Sequence, residues 1–88
     1  MTVYVDQPRH PYRGMIMCHM VADSLEELHS MADAIGIRRQ WFQSQASYPH
    51  YDICKAKRAQ AISRGAVEVT GREMIRHCQR LKTKMESK

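Results

Sequence analysis

Two short polar runs hold most of the side chains with chemistry to offer: Arg9-His10-Pro11-Tyr12-Arg13 and Pro49-His50-Tyr51-Asp52. Pro8 precedes the first run and Pro11 lies within it, and prolines restrict the chain and pre-organise it. An arginine brings a forked donor for phosphate or carboxylate, and a histidine brings a second donor. His10 and Arg13 together would make an anion clamp, with Arg9 beside them. The plainer alternative is a loop anchored by arginine–aspartate pairs and backbone bonds. In the second run Asp52 suits a helix N-cap. His50 and Tyr51 would then precede a helix N-terminus, where free N–H groups and the helix dipole favour anions. Lys55 and Arg58 follow three residues apart, on one helix face. That makes a phosphate-binding corner, or else a cap beside an ordinary solvated basic face.

Carboxylates and imidazoles also raise metal chemistry. Asp6, Asp23, Asp52 and Glu68 fall near expected strand or helix ends and could hold a divalent ion such as Mg²⁺. His10, His19 and His50 could instead serve a transition metal. The metal candidates taken forward are Asp6, His10, His50 and Asp52. No HExxH, HxH or DxD spacing occurs, nor a glycine-rich phosphate loop. His19 sits within an apolar run, where a hydrogen-bonded core histidine competes with a ligand role. His29, beside Leu28 in an expected helix, borders the core or faces solvent.

These side chains need elements to carry them. Thr2–Asp6 alternates β-prone residues and predicts a strand ending in an acid. Residues 7–14, with two prolines and a glycine, predict a loop. Met15–Ala22 is nearly all apolar and predicts a central strand buried on both faces. Alternation puts Met15, Met17, His19 and Val21 on one face and Ile16, Cys18, Met20 and Ala22 on the other. Ser24-Leu25-Glu26-Glu27 is a capping box opening a helix over 24–35, and Gly36 ends it. Ile37–Gln43 predicts a third strand, in which Trp41 and Phe42 point opposite ways, one to the core and one free to stack on a nucleotide ring. A polar loop over 44–49 precedes a second helix from Asp52 to about Arg64. Residues 66–69 predict a fourth strand. Thr70-Gly71-Arg72-Glu73 is a second capping box, opening a third helix with the apolar stripe Ile75, Cys78, Leu81 and Met85. Residues 84–88 are polar and are expected to fray.

The order β-β-α-β-α-β-α predicts one α/β domain over 1–88, with a mostly parallel sheet of about four strands and three helices. In such sheets ligands gather beyond the C-terminal strand ends, which would bring the two polar runs to one rim. The first strand is the weak link, because its connection to the second is too short for a helical crossover.

Composition sets the outer bounds. The 88 residues are 43% hydrophobic and 26% charged, an ordinary globular balance. No apolar run reaches the roughly 20 residues of a membrane span, and no signal-peptide layout opens the chain, so a cytoplasmic protein is expected. Cys18, Cys54 and Cys78 are widely spaced and read as reduced thiols. The net charge is +5 and uneven: residues 1–50 carry four basic and five acidic side chains, residues 51–88 ten and four. Arg72, Arg76, Arg80 and Lys84 recur every four residues on the third helix. Such a stripe tracks a nucleic-acid backbone or is simply a solvated face.

Several segments together resemble the domain-of-unknown-function 4031 family. They are Val3-Tyr4-Val5-Asp6, Arg9-His10-Pro11-Tyr12-Arg13-Gly14, Cys18-His19-Met20-Val21-Ala22-Asp23, Glu27-Leu28-His29, Arg39-Gln40-Trp41-Phe42-Gln43, His50-Tyr51-Asp52 and Gly65-Ala66-Val67-Glu68-Val69. The resemblance spans roughly residues 2–70. It implies a small protein of bacterial or phage origin and brings no activity with it.

The leading expectation is a binding module for a phosphorylated ligand, a nucleotide or nucleic-acid backbone, through Arg9, His10, Arg13, His19, Arg39, His50, Tyr51 and Arg58. A metal-dependent phosphodiesterase or nuclease is the second. A module binding a host or phage protein through adaptable methionines is the third.

Overall fold

The computed structural model describes residues 2–8, 10–12, 14–43 and 48–86, with His10 and Tyr12 described by their backbone only. Arg9 and Arg13 lie outside the described residues. The strands are β1 (Val3–Val5), β2 (His10–Tyr12), β3 (Met15–Ala22), β4 (Tyr51–Cys54) and β5 (Val67–Glu68), and the helices α1 (Leu25–Ala34), α2 (Lys55–Ser63) and α3 (Gly71–Glu86). A single 3-10 turn covers Arg39–Trp41.

β3 is the centre of the sheet. On one side it pairs antiparallel with β4, from Met17↔Cys54 to Met20↔Tyr51. On the other side two segments share its length. β1 pairs with the second half (Val5↔Met20) and β2 with the first (His10↔Met17), both antiparallel. β5 then adds to β1 in parallel. Five segments thus make a sheet four strands wide. It is mixed, with one parallel pair among the described strands, where a mostly parallel sheet was expected. The short β1–β3 connection is the reason, since it permits only an antiparallel pairing.

The expected third strand over 37–43 is replaced by the 3-10 turn and extended chain, and the strand lies at Tyr51–Cys54 instead. Asp52 is therefore a strand residue. Cys54, not Asp52, stands at the α2 N-cap, and its side chain makes no capping bond. The Tyr51–Cys54 signal was hidden by its brevity and by the flanking turn residues. Phe42 still packs inward against His29 and Tyr51, and Trp41 still faces out.

Both capping boxes form. Glu27 N donates to Ser24 Oγ (3.2 Å), and Glu73 N donates to Thr70 Oγ1 (3.1 Å). The carboxylate of Glu73 accepts in return from Thr70 N (3.0 Å). Gly36 follows α1 at φ +81°, a left-handed conformation that glycine adopts without strain. α3 continues through Lys84 and Met85 to Glu86.

The helices lie on both faces of the sheet. The row Val5–Met20–Tyr51 is fully buried and faces α1, whose His29 Nδ1 lies 2.7 Å from Tyr51 Oη. α2 is on the same side, its Arg58 bonded to Glu68, the register partner of Val5. α3 covers the opposite face, where His77 stacks on Tyr4 with ring centroids 3.5 Å apart. Burial of β3 is uneven. Residues 20–22 are buried, while Met15 and Ile16 are exposed, so full burial on both faces holds only for residues 20–22. Among the described residues no helix is long and apolar enough to cross a membrane.

Candidate metal centre

The sheet register places three polar residues in one crosswise row: Asp6 just past β1, His19 in β3 and Asp52 in β4. The row arises from a substitution in the β1–β3 ladder. Asp6 N donates to His19 O (3.3 Å) as a strand residue would. The reciprocal bond from His19 N goes to the Asp6 carboxylate, Oδ1, at 2.7 Å. The Asp6 carbonyl is thereby released, and Arg58 Nε donates to it at 2.8 Å. The chain leaves the sheet at this point and rejoins it as β2.

Asp6 also fixes the His19 ring. Its Oδ2 lies 2.7 Å from His19 Nδ1. With Nδ1–H donating to Asp6, Nε2 is the nitrogen that faces Asp52 Oδ1, at 3.9 Å. His50, just before β4, is held in the same sense. Its Nδ1–H donates to the Tyr48 carbonyl (2.7 Å), and its Nε2 lies 3.2 Å from the same Asp52 oxygen. The two rings meet edge to face, with centroids 4.9 Å apart. Burial opposes the charged form of His50, but the Asp52 hydrogen bond, the Tyr48 carbonyl and the charges of Asp52 and Asp6 outweigh it, and the pKa rises above the usual histidine value.

This geometry suits a proton or a cation placed between the three groups. Each imidazole has used its Nδ1–H elsewhere, and both Nε2 atoms face one carboxylate. A lone pair beside a carboxylate repels it, so either protons or a cation must lie between them. One donor atom from each of His19, His50 and Asp52 lies within 4.8 Å of the others. Ligands about 2.0–2.1 Å from a tetrahedral zinc ion lie roughly 3.4 Å apart. The 3.2 and 3.9 Å distances to Asp52 bracket that value. Tying the far nitrogen of a ligating histidine to a carboxylate or carbonyl is the usual outer support of a metal site. Asp6 and Tyr48 occupy those positions.

The three donors sit between two cavities. One, about 450 Å³, is lined by Asp6, His19, Tyr48 and His50 and roofed by Gly71, Met74 and Cys78 of α3. The other, about 540 Å³, lies beyond Asp52 at the open end of the sheet.

The remaining candidate residues are placed elsewhere. Tyr51 is fully buried against His29 and belongs to the core. Arg39 is exposed and paired with Asp33 at 3.1 Å. Arg58 is committed to the Asp6 carbonyl and to Glu68 Oε1 (2.7 Å). The backbone of His10 pairs with Met17, and the side-chain clamp expected of His10 and Arg13, like Arg9 beside it, falls outside the described residues. Of the expected metal set, His50 and Asp52 come together with His19, and Asp6 stands behind His19. Sequence reasoning missed the Tyr48 carbonyl, which no side-chain pattern encodes. It also missed the pairing of Asp6 with His19, which a β-hairpin register from Val3 to Ala22 would have supplied.

No curated protein and no solved structure matches the chain. The family described as "Protein of unknown function (DUF4031)" matches residues 3–81. The chain therefore belongs to the DUF4031 family.

Proposed function

We propose that the protein binds a transition metal ion of the zinc type through His19, His50 and Asp52, and that the bound ion acts on a phosphoester as a phosphodiesterase or nuclease does. The observation that carries this reading is the convergence of two Nδ1-anchored imidazoles on the Asp52 carboxylate. Two imidazoles and one carboxylate suit zinc and leave a fourth position for water or substrate. An ion so held would lower the pKa of its water to about 7 and would polarise a phosphoryl oxygen. The anion affinity expected from the +5 charge then has a focus. A bound ion would take the phosphate in place of Arg39 and Arg58, which Asp33, Asp6 and Glu68 already engage.

Metal analysis after dialysis against Zn²⁺, followed by hydrolysis of bis(p-nitrophenyl) phosphate, tests the reading. One zinc per chain is expected, with uptake and hydrolysis both lost in Asp52→Asn and His50→Ala. Equal zinc content in the parent and in both variants would exclude the centre. Zinc bound without hydrolysis would retain the metal site and remove the enzyme.

A further inference from the structure

The cavity beyond Asp52 has the makings of a ligand site of its own. Its volume of about 540 Å³ suits a small organic ligand. Its apolar wall is Met15, Met17 and Trp41, with Ile53 at the base. Trp41 is 57% exposed and Met15 45%, and the two share this one cavity. The chain therefore holds a flat indole and the Met15 thioether open to solvent, with Met17 half-buried beside them, a surface suited to covering a planar ring.

The polar groups of the same cavity are few. Arg38 and Lys57 supply positive charge, and Gln43 an amide. Lys57 spends one N–H on the Ile35 carbonyl (2.6 Å), which fixes its ammonium group at the cavity wall. Arg38 and the Gln43 side chain have no partner among the described residues. Asp52, which lines this cavity, is also the carboxylate of the metal centre. A ligand here meets a ring-binding surface, two cations and the edge of that centre.

We infer that this cavity binds a nucleoside monophosphate unit. The base lies on Trp41 against the methionines, its polar edge meets the Gln43 amide, and the phosphate faces Arg38 and Lys57 near Asp52. The cavity itself carries the binding claim. The role of Asp52 rests on the phosphoester reading above, whose substrate class this would define.

Trp41 is the sole tryptophan of the chain, so its fluorescence reports the site directly. AMP, GMP, CMP and UMP are titrated into the zinc-loaded protein and into His50→Ala, with adenosine and inorganic phosphate as controls. At least one mononucleotide is expected to quench the emission saturably, and at least tenfold more tightly than adenosine or phosphate. Arg38→Ala is expected to weaken that binding about tenfold, and Trp41→Ala, followed by calorimetry, to abolish it. Both side chains are exposed, so neither change threatens the fold. Quenching retained in His50→Ala supports the cavity even where the metal reading has failed. No saturable quenching by any of the four at millimolar concentration, or equal affinity for adenosine, overturns the inference.

Discussion

Asp6 grips His19 at two points, its Oδ1 on the backbone N–H and its Oδ2 on the ring Nδ1, each at 2.7 Å. One carboxylate thus completes the sheet ladder and sets the direction of an imidazole. The Asp6 side chain is largely buried, so these bonds form where water competes weakly. Position and tautomer of His19 follow from a single residue.

Replacing Asp6 by Asn separates the two tasks. The amide oxygen can still accept from His19 N, and the amide NH₂ then faces Nδ1. That favours the tautomer with the proton on Nε2, which cannot ligate. Zinc affinity is expected to fall roughly 10–100-fold, the usual effect of losing an outer-shell partner, with little change in stability. A competition titration with a chromophoric chelator reads the first quantity, and urea denaturation reads the second. Unchanged zinc affinity would show that Asp6 has only a structural role.

Arg58→Met tests the other end of that ladder. It keeps the aliphatic stem but leaves the Asp6 carbonyl and Glu68 without their donor. Leaving a part-buried acceptor unsatisfied costs roughly 1–3 kcal/mol. For a domain of this size each kcal/mol lowers Tm by about 4–8 °C. A Tm within 2 °C of the parent would mean that water replaces the arginine at no cost.

Much of this arrangement was legible in the sequence, and what was not has identifiable causes. Ser24–Glu27, Thr70–Glu73 and Gly36 marked their helix ends because caps and positive φ are local chemistry. His50 and Asp52 stood out as polar residues in a short run, and Asp6 as a strand-end acid. Strand β4 was not legible, since four residues give too little periodicity to outweigh a tempting helix cap at Asp52. The Trp41-Phe42 pair misled for the opposite reason. Its β propensity is high, yet the chain spends it on a 3-10 turn that sends Phe42 to the core and Trp41 to the surface. The convergence of His19 with His50 is a tertiary fact, written only in the β3–β4 register.

Gly36→Ala is expected to destabilise the protein by about 1–2 kcal/mol, the cost of holding an L-residue in the left-handed region. A second effect adds to it. The new Cβ would meet Lys57 Nζ at 3.2 Å and press the ammonium group away from the Ile35 carbonyl. Because Lys57 lines the Trp41 cavity, the variant is also expected to weaken mononucleotide binding. Thermal melts and the fluorescence titration separate the two consequences.

The cysteines should differ sharply in reactivity. Burial, with the nearby Asp6 charge, pushes the Cys18 thiol up to about 12 and the Cys78 thiol up to about 11. Thiolate is the reactive form, and both side chains are buried. At pH 8 a maleimide is expected to label the half-exposed Cys54 in the folded protein and the other two only after unfolding. Mass spectrometry of peptides counts the labels. Fast modification of Cys78 would mean that α3 lifts from the sheet.

Stability should also carry a histidine signature from His77. Its ring stacks on Tyr4, and its pKa is lowered first by burial and then by the charge of Arg80, against smaller opposing effects of Asp23 and Glu73. A lowered folded value means that the unfolded chain binds the proton more tightly. The contribution of the neutral ring is therefore complete above the ordinary histidine value of about 6.5 and is lost as pH falls through 6.5 toward the folded value. His50 titrates in the opposite sense, so the total pH profile does not isolate the effect. His77→Phe keeps a ring to stack on Tyr4 and cannot titrate. The stability of His77→Phe relative to the parent is expected to rise as pH falls from 7 to 5, measured by urea denaturation at each pH. A difference that stays constant across that range would mean that His77 takes up its proton equally well folded and unfolded, and that the Tyr4 stack does not discriminate between its two forms.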